Sequence, residues 1–366
     1  MSALGVAVVG CGDISGQYLP NLTAFPDVDV RFCADLDVDR ARARADEFGV
    51  RHAGTPEEAL ARADVDLVVN LTVPAAHGAV AAAALDAGKH VWNEKPLAVD
   101  LDDARALVAK AAANGLRVGC APDTVLGAGI QNARRLVDSG AIGTPLAATV
   151  MLQTMGPDRW HPNPESFFGP GGGPLFDMGP YYLATLCTLL GPVGQVAGLV
   201  CRGRDRRTVM AGPRTGATFP VEVATHVSAL LGFASGAVGS AVFSFDSPLR
   251  RTGFVEIAGT EATLTVPDPN GFGGASLLHL PGVEAPRVVP AAGTVAGRGI
   301  GVVDLVRAVR AGEPHRASGE LALHVLEVMS AVGRSAADGG FVGITSGVGR
   351  PAPVDPGWDP TTPGPS

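Results

Sequence analysis

Lys95 is the residue whose type and setting first suggest chemistry. It closes Lys89-His90-Val91-Trp92-Asn93-Glu94-Lys95-Pro96, a short apolar strand running into a Glu-Lys-Pro turn, with alanine-rich helical segments at 80–87 and 101–113 on either side. Lys89, Lys95 and Lys110 are the only lysines in a chain that otherwise draws its positive charge from arginine. An ammonium sheds its proton when desolvated and a guanidinium does not, so a lysine at this place suits proton transfer. In an open parallel sheet, ligands bind beyond the carboxyl ends of the strands. Taken alone, the same residues also describe a charged turn stiffened by proline.

A second constellation lies at the start of the chain. Residues 5–9 form a continuous apolar run, as in a strand buried on both faces, and lead into Gly10-Cys11-Gly12-Asp13-Ile14-Ser15 and a helix-compatible stretch at 17–24. Gly10 permits the tight turn, Gly12 lets a pyrophosphate approach the backbone, and Ser15 takes the third, small-residue position of a dinucleotide fingerprint. The amides at that helix start would face phosphate. The next strand, 28–34, ends in Asp35-Leu36-Asp37, where an acid would meet the adenosine 2′-hydroxyl. A 2′-phosphate at about 4 Å would meet like charge, costing roughly 4 kcal/mol per unit pair at an effective dielectric near 20. This favours NAD over NADP, with Arg40 as the competing detail. Asp37 and Asp39 read as helix caps. Thr72-Val73-Pro74-Ala75-Ala76-His77 adds another strand-end loop beside the dinucleotide, in which His77 packs or caps.

The elements that must position these groups follow from periodicity. About 120 residues alternate strand and helix, which calls for a parallel sheet. Beyond residue 195 the texture changes to strands at 195–201, 221–233, 237–245, 252–258 and 262–266, as in a largely antiparallel sheet with one covered face. Closing helices are expected at 298–310 and 320–337, with His324 in the core. The division is 1–122 for the dinucleotide domain, 123–345 for a substrate-binding and oligomerisation domain, and a mobile Pro/Gly-rich tail at 346–366. Net charge of -8 argues against nucleic-acid or anionic-membrane partners. Arg202 to Arg207 reads as a solvated basic loop. Five cysteines, without a C-x-x-C pair, read as reduced core residues of a cytoplasmic protein. No signal peptide or membrane-length apolar run is visible.

Gly-x-Gly-x-x-Ser, Thr-Val-Pro-Ala-Ala-His, Ala-Gly-Lys-His-Val-Trp-Asn-Glu-Lys-Pro and Gly-Gly-Pro-Leu-Phe-Asp-Met-Gly-Pro-Tyr together resemble the Gfo/Idh/MocA oxidoreductases, over nearly the whole chain to about residue 340. The resemblance implies an α/β fold: an N-terminal Rossmann parallel sheet and a C-terminal α+β domain with a large, mostly antiparallel open sheet that supports the active site and often an oligomer interface. It implies a cis Lys95-Pro96 bond. It also implies that Asp177 hydrogen-bonds substrate or orients Lys95. The family places His four residues after that Asp, with Tyr in some members, and here the position holds Tyr181. A phenol starts near pKa 10, and lowering it by about three units needs roughly 4 kcal/mol of differential interaction, such as a close cation supplies. Tyr182 reads as packing.

The expected enzyme moves a hydride between NAD, with NADP less favoured, and a carbinol or carbonyl of a sugar, polyol or glycoside. Lys95, Tyr181 and Asp177 are its catalytic residues. Cofactor contacts fall to Gly10, Cys11, Gly12, Asp13, Ile14, Asp35, Leu36, Arg40, Thr72, Val73, Pro74, His77, Glu94, Lys95 and Pro96. Substrate contacts fall to Lys95, Asp123, Trp160, His161, Asp177 and Tyr181. Trp160, in an irregular loop at 156–174, offers an apolar platform for a sugar face, and Asp123 serves either substrate or a helix cap. No metal is expected, since His161 has no partner at ligand spacing. The base is Tyr181, Lys95 or His161. A homodimer or homotetramer is expected. Alternatives are a dihydrodiol-type dehydrogenase, a redox-assisted glycoside-cleaving enzyme, and a catalytically silent NAD-binding sensor.

Overall fold

The apolar runs of the first third become short strands buried on both faces, joined by helices. In the computed structural model, which describes residues 3–364, these are β1 (Leu4–Val9), α1 (Ser15–Leu22), β2 (Val28–Ala34), α2 (Val38–Phe48), β3 (His52–Gly54), α3 (Pro56–Leu60), β4 (Leu67–Asn70), α4 (Pro74–Asp86), β5 (His90–Asn93), α5 (Leu101–Ala113) and β6 (Val118–Cys120). The two outermost positions at each end, which the expected first domain and tail include, lie outside the described residues. The strands form a parallel sheet in the order β3-β2-β1-β4-β5-β6. The order reverses between β1 and β4, which sets a crevice at their carboxyl ends. β3 carries no apolar run and escaped sequence reading. It is a short edge strand specified by its pairing to Phe32, Cys33 and Ala34.

The second architecture comprises α6 (Ala128–Asp138), β7 (Pro145–Gln153), α7 (Pro174–Leu190), β8 (Val193–Cys201), β9 (Arg206–Thr208), β10 (Thr218–Pro220), β11 (His226–Phe233), β12 (Val238–Ser244), β13 (Arg251–Gly259), β14 (Thr263–Val266), β15 (Ser276–His279) and β16 (Arg287–Val289). After these come α8 (Ile300–Ala311), α9 (Gly319–Asp338) and β17 (Val342–Gly343). Nine strands pair in the order β16-β15-β14-β13-β7-β12-β11-β8-β17, all antiparallel except β7 with β12. Period-two burial, clear in β11, turns one face onto a core. There Tyr182 of α7 meets Phe243 edge-on at 5.4 Å and its hydroxyl accepts the Gly253 N–H at 2.8 Å, the packing role expected of it.

The compact units do not follow the expected boundaries. The first takes residues to Gly127 together with Gly293–Leu323 and the chain from Val354, and the second takes Ala128–Ala292 and His324–Pro353. Helix α8 returns to the Rossmann unit because Trp92, fully buried, needs a glycine against it: a Cβ on Gly301 would lie 1.9 Å from the ring. The described tail residues, 346–364, make long-range hydrogen bonds. Arg134 and Arg350 donate to the carbonyls of Pro351, Thr188 and Leu189. Arg307 donates to Asp359 and Thr362 and lies over the Trp358 ring at 5.3 Å. Prolines leave carbonyls without intrasegment partners, and arginines from elsewhere take them, which composition does not reveal. Cys201, expected in the core, is exposed.

His324 is a core residue as expected, its Nε2 accepting the Val193 N–H at 3.0 Å. One turn on, burial alone would raise the Glu327 carboxyl, but hydrogen bonds from Ser346 and Thr345 outweigh it and hold the group at about 2. The folded value lies below the unfolded one, so this anchor contributes fully above about pH 4.5 and is lost as pH falls toward 2. Acid titration followed by hydrogen exchange should therefore release residues 345–346 in that window, and Glu327→Gln should flatten the response.

Candidate active site

At the β1–α1 turn, Gly10 has φ +96°, and a Cβ there would lie 2.6 Å from the Leu71 backbone, so only glycine fits. A Cβ on Gly12 would meet nothing within 4 Å, leaving open space at the fingerprint's second glycine. Ser15 is fully buried and closes the turn by donating its hydroxyl to the Gly12 carbonyl at 2.6 Å. Ile14 at the N-cap of α1 supplies no side-chain cap. An uncapped helix start with room before it fits a pyrophosphate. Asp13 is exposed beside it.

Asp35, just past β2, accepts the Cys11 N–H at 2.8 Å and the Asp37 N–H at 2.9 Å, which fixes the carboxylate toward the same turn. The Cys11 amide, and its buried side chain, are therefore spent within the protein. Arg40 turns back on both acids, 3.7 Å from Asp35 and 3.2 Å from Asp37, and Asp37 caps α2 as expected. Leu36 and Val73, 88% and 67% exposed, are apolar groups left uncovered on the loops that follow β2 and β4, the two strands flanking β1, and Pro74 starts α4 beside Val73.

The Lys95 turn is braced from beneath. Lys95-Pro96 is cis as the resemblance implied, and Ala121-Pro122 is a second cis bond. Buried Asn70 and Asn93 end two paired strands and bond to each other at 2.8 Å. Asn70 accepts the Thr72 hydroxyl at 2.7 Å and Asn93 donates to the Leu97 carbonyl at 2.9 Å. Glu94, 6% exposed, accepts the Tyr18 hydroxyl at 2.7 Å and the Lys95 N–H at 2.9 Å. His77, 1% exposed, has Nδ1 2.6 Å from the Pro96 carbonyl and Nε2 3.0 Å from that of Thr72; burial pushes its pKa down against both contacts. The remaining lysines have structural duties: Lys89 donates to the carbonyls of Arg62 and Val65, and Lys110 pairs with Asp86.

Three of the expected ligand contacts have partners within the protein. His77 and Glu94 are supports of the turn. Asp123 is fully buried, and its carboxylate accepts the Gly299 and Gly301 N–H groups at 2.7 and 3.3 Å, capping α8. Burial raises its pKa to about 6, opposed by Arg298 and those amides. Tyr18, Asn70 and Asn93 escaped sequence reading. Two asparagines closing adjacent apolar strands were the available signal, since a buried amide needs a partner.

In the second unit, α7 begins at Pro174, so Asp177 and Tyr181 lie one turn apart on one helix. Tyr181 is 5% exposed and Asp177 half-buried. Trp160 is 66% exposed, with His161 edge-on at 5.6 Å and Phe167 edge-on to His161 at 5.2 Å. Arg207, expected in solvent, is 4% exposed and anchors this loop.

A parallel sheet with a glycine turn at its switch point and an acid on the neighbouring strand defines a dinucleotide-binding Rossmann unit, here joined to an α+β unit. The chain belongs to the GFO/IDH/MocA family: residues 4–121 match its oxidoreductase family with NAD-binding Rossmann fold, and 130–265 its C-terminal domain. It is an oxidoreductase that uses NAD. A dTDP-3,4-didehydro-2,6-dideoxy-alpha-D-glucose 3-reductase of Streptomyces violaceoruber is 30% identical over 344 residues, 91% of this chain and 96% of that protein. The crystal structure of an oxidoreductase domain protein from Kribbella flavida superposes with TM-score 0.81 at 25% identity, covering 94% of this chain and 100% of the other. GenD2 from gentamicin A biosynthesis, solved in complex with NAD, gives TM-score 0.73 at 28% identity, covering 94% and 97%.

Proposed function

We propose that the chain interconverts a secondary carbinol and its carbonyl on a sugar, polyol or glycoside. The observation that carries this is the bracing of Lys95: His77, Asn93 and Glu94 are buried polar groups bonded to the backbone around one lysine at a strand end, and buried Tyr18 and Asn70 bond to Glu94 and Asn93 in turn. A solvated turn needs no such support. The Streptomyces relative, a reductase of a dTDP-linked dideoxyhexose by its name, supports the sugar class.

NAD, when bound, supplies hydride acceptance and donation at its nicotinamide ring. Gly10, Gly12, Asp13 and Ile14 would hold its pyrophosphate and Asp35 its adenosine ribose, with Leu36, Arg40, Thr72, Val73 and Pro74 beside them. Tyr181 takes the hydroxyl proton at its phenol oxygen, Lys95 hydrogen-bonds the oxygen as charge develops on it, Asp177 orients the reacting groups, and Trp160 and His161 seat the ring. Incubating purified protein with NAD or NADH and a panel of sugars, polyols, glycosides and their keto forms, followed at the reduced-cofactor absorbance, tests this. Binding of NAD with no turnover in either direction would sink it in favour of a sensor.

A homo-oligomer forms through the outer face of the nine-stranded sheet. Leu199, Ser228, Val242, Met151 and Phe254 align across five strands on that face, flanked by exposed Leu230 and Val238. Continuous uncharged rows of this kind mark interfaces. Leu199→Asp with Leu230→Asp should give monomers by light scattering; an unchanged mass would rule this face out. Among the described residues no helix is long and apolar enough to cross a membrane. Free cysteines suit the cytoplasm.

A further inference from the structure

Residues 202–222 leave the large sheet and return to it as a ribbon, β9 paired antiparallel with β10. The guanidinium of Arg207, on β9, is divided among four oxygens: the Met155 carbonyl at 2.7 Å, Asp158 Oδ1 at 2.8 Å, the Phe245 carbonyl at 2.6 Å and Asp246 Oδ1 at 2.5 Å. It lies over the Phe168 ring at 4.8 Å. Met155, Asp158 and Phe168 belong to the loop that carries Trp160 and His161, whereas Phe245 and Asp246 follow β12. One buried cation thus ties that loop to the end of a sheet strand.

Further ties come from the ribbon's turn and its exit. The Met210 N–H donates to the Asp158 carbonyl at 2.9 Å and the Glu222 N–H to the Phe168 carbonyl at 2.8 Å. Arg214 pairs with Glu165 at 2.5 Å and donates to Asn163 at 3.3 Å. At Gly212, φ +78°, a Cβ would lie 2.7 Å from the Pro162 side chain, so the turn sits directly on the loop.

We propose that this ribbon is a selectivity brace, with Arg207 its positioning residue: it fixes the Trp160–His161 surface so that the enzyme favours a ring-form pyranose over an open-chain polyol. This rests on the sugar reading above. A pyranose presents a flat, rigid CH face that stacks on an aromatic plane only when that plane is held in place. An acyclic polyol rotates its own bonds to follow a platform that drifts. A platform already immobilised also spares the ordering cost of binding, and that saving falls to the ligand whose shape matches.

Arg207→Lys keeps the charge but offers a point donor in place of the planar fork. Arg214→Ala loosens the turn from the exposed side and keeps the proposal testable should the Arg207 variant not fold. Both are compared with wild type, loaded with NAD, by hydrogen exchange at residues 155–168 and by initial rates on a pyranose and an acyclic polyol. The expected result is faster exchange in that loop and a pyranose KM raised about ten- to a hundredfold, with kcat, NAD affinity and the polyol KM unchanged. Equal losses on both substrates, a loss confined to kcat, or unaltered exchange would overturn the proposal. A wild-type enzyme inert toward every sugar would sink the sugar reading and the selectivity half with it, while the exchange measurement still decides the brace.

Discussion

Lys95→Ala should lower kcat by about 10²- to 10⁴-fold while NAD affinity stays near that of wild type. The residue is half-buried at the carboxyl end of β5, and its backbone is fixed by Glu94 through the Lys95 N–H and by His77 through the Pro96 carbonyl. Those braces do not involve the ammonium, so truncation leaves the turn in place. Lys95→Arg should fail to rescue, because a planar guanidinium fills more space and does not replace a compact point donor. Initial rates give kcat, and a fluorescence titration gives the NAD dissociation constant. A variant that loses mainly cofactor affinity would remove Lys95 from the catalytic role.

Tyr181→Phe should abolish most turnover, by about 10²- to 10⁴-fold, with the fold retained by circular dichroism. The ring stays packed in α7, where the residue is 5% exposed, and only the phenol oxygen is lost. The adjacent Tyr182→Phe is the control with the opposite signature. It strips the Gly253 N–H of its acceptor, at a cost of about 1–3 kcal/mol in stability, and should leave kcat intact. Near-normal turnover in Tyr181→Phe would hand the base to Lys95 or His161.

Much of the first unit could be read from residue order alone. The apolar run of β1, the Gly10–Ser15 turn, the acid after β2 and the Lys95 turn are local patterns, and local patterns need only backbone geometry to acquire meaning. The family resemblance rested on the same local motifs, and the matches at 4–121 and 130–265 agree with it. The change from parallel to antiparallel texture near residue 195 was legible for the same reason, because side-chain period follows the strand and not its partners.

What the tertiary structure decided is which polar groups are spent inside the protein. By type and position alone Asp123 reads as a substrate contact or a helix cap and Glu94 as a ligand contact; in the fold the first caps a helix that begins at residue 300 and the second bonds to Tyr18, 76 positions earlier. Arg207 looks like solvent chemistry because its neighbours are charged, and becomes the anchor of a loop because two chain segments bring oxygens to it. In the tail, whose composition is that of a disordered segment, the Pro351 and Asp359 carbonyls accept from arginines far away in sequence. Burying a charge or a carbonyl is costly unless a partner arrives. The chain order fixes each group's chemical type, and the fold alone fixes which partner it meets.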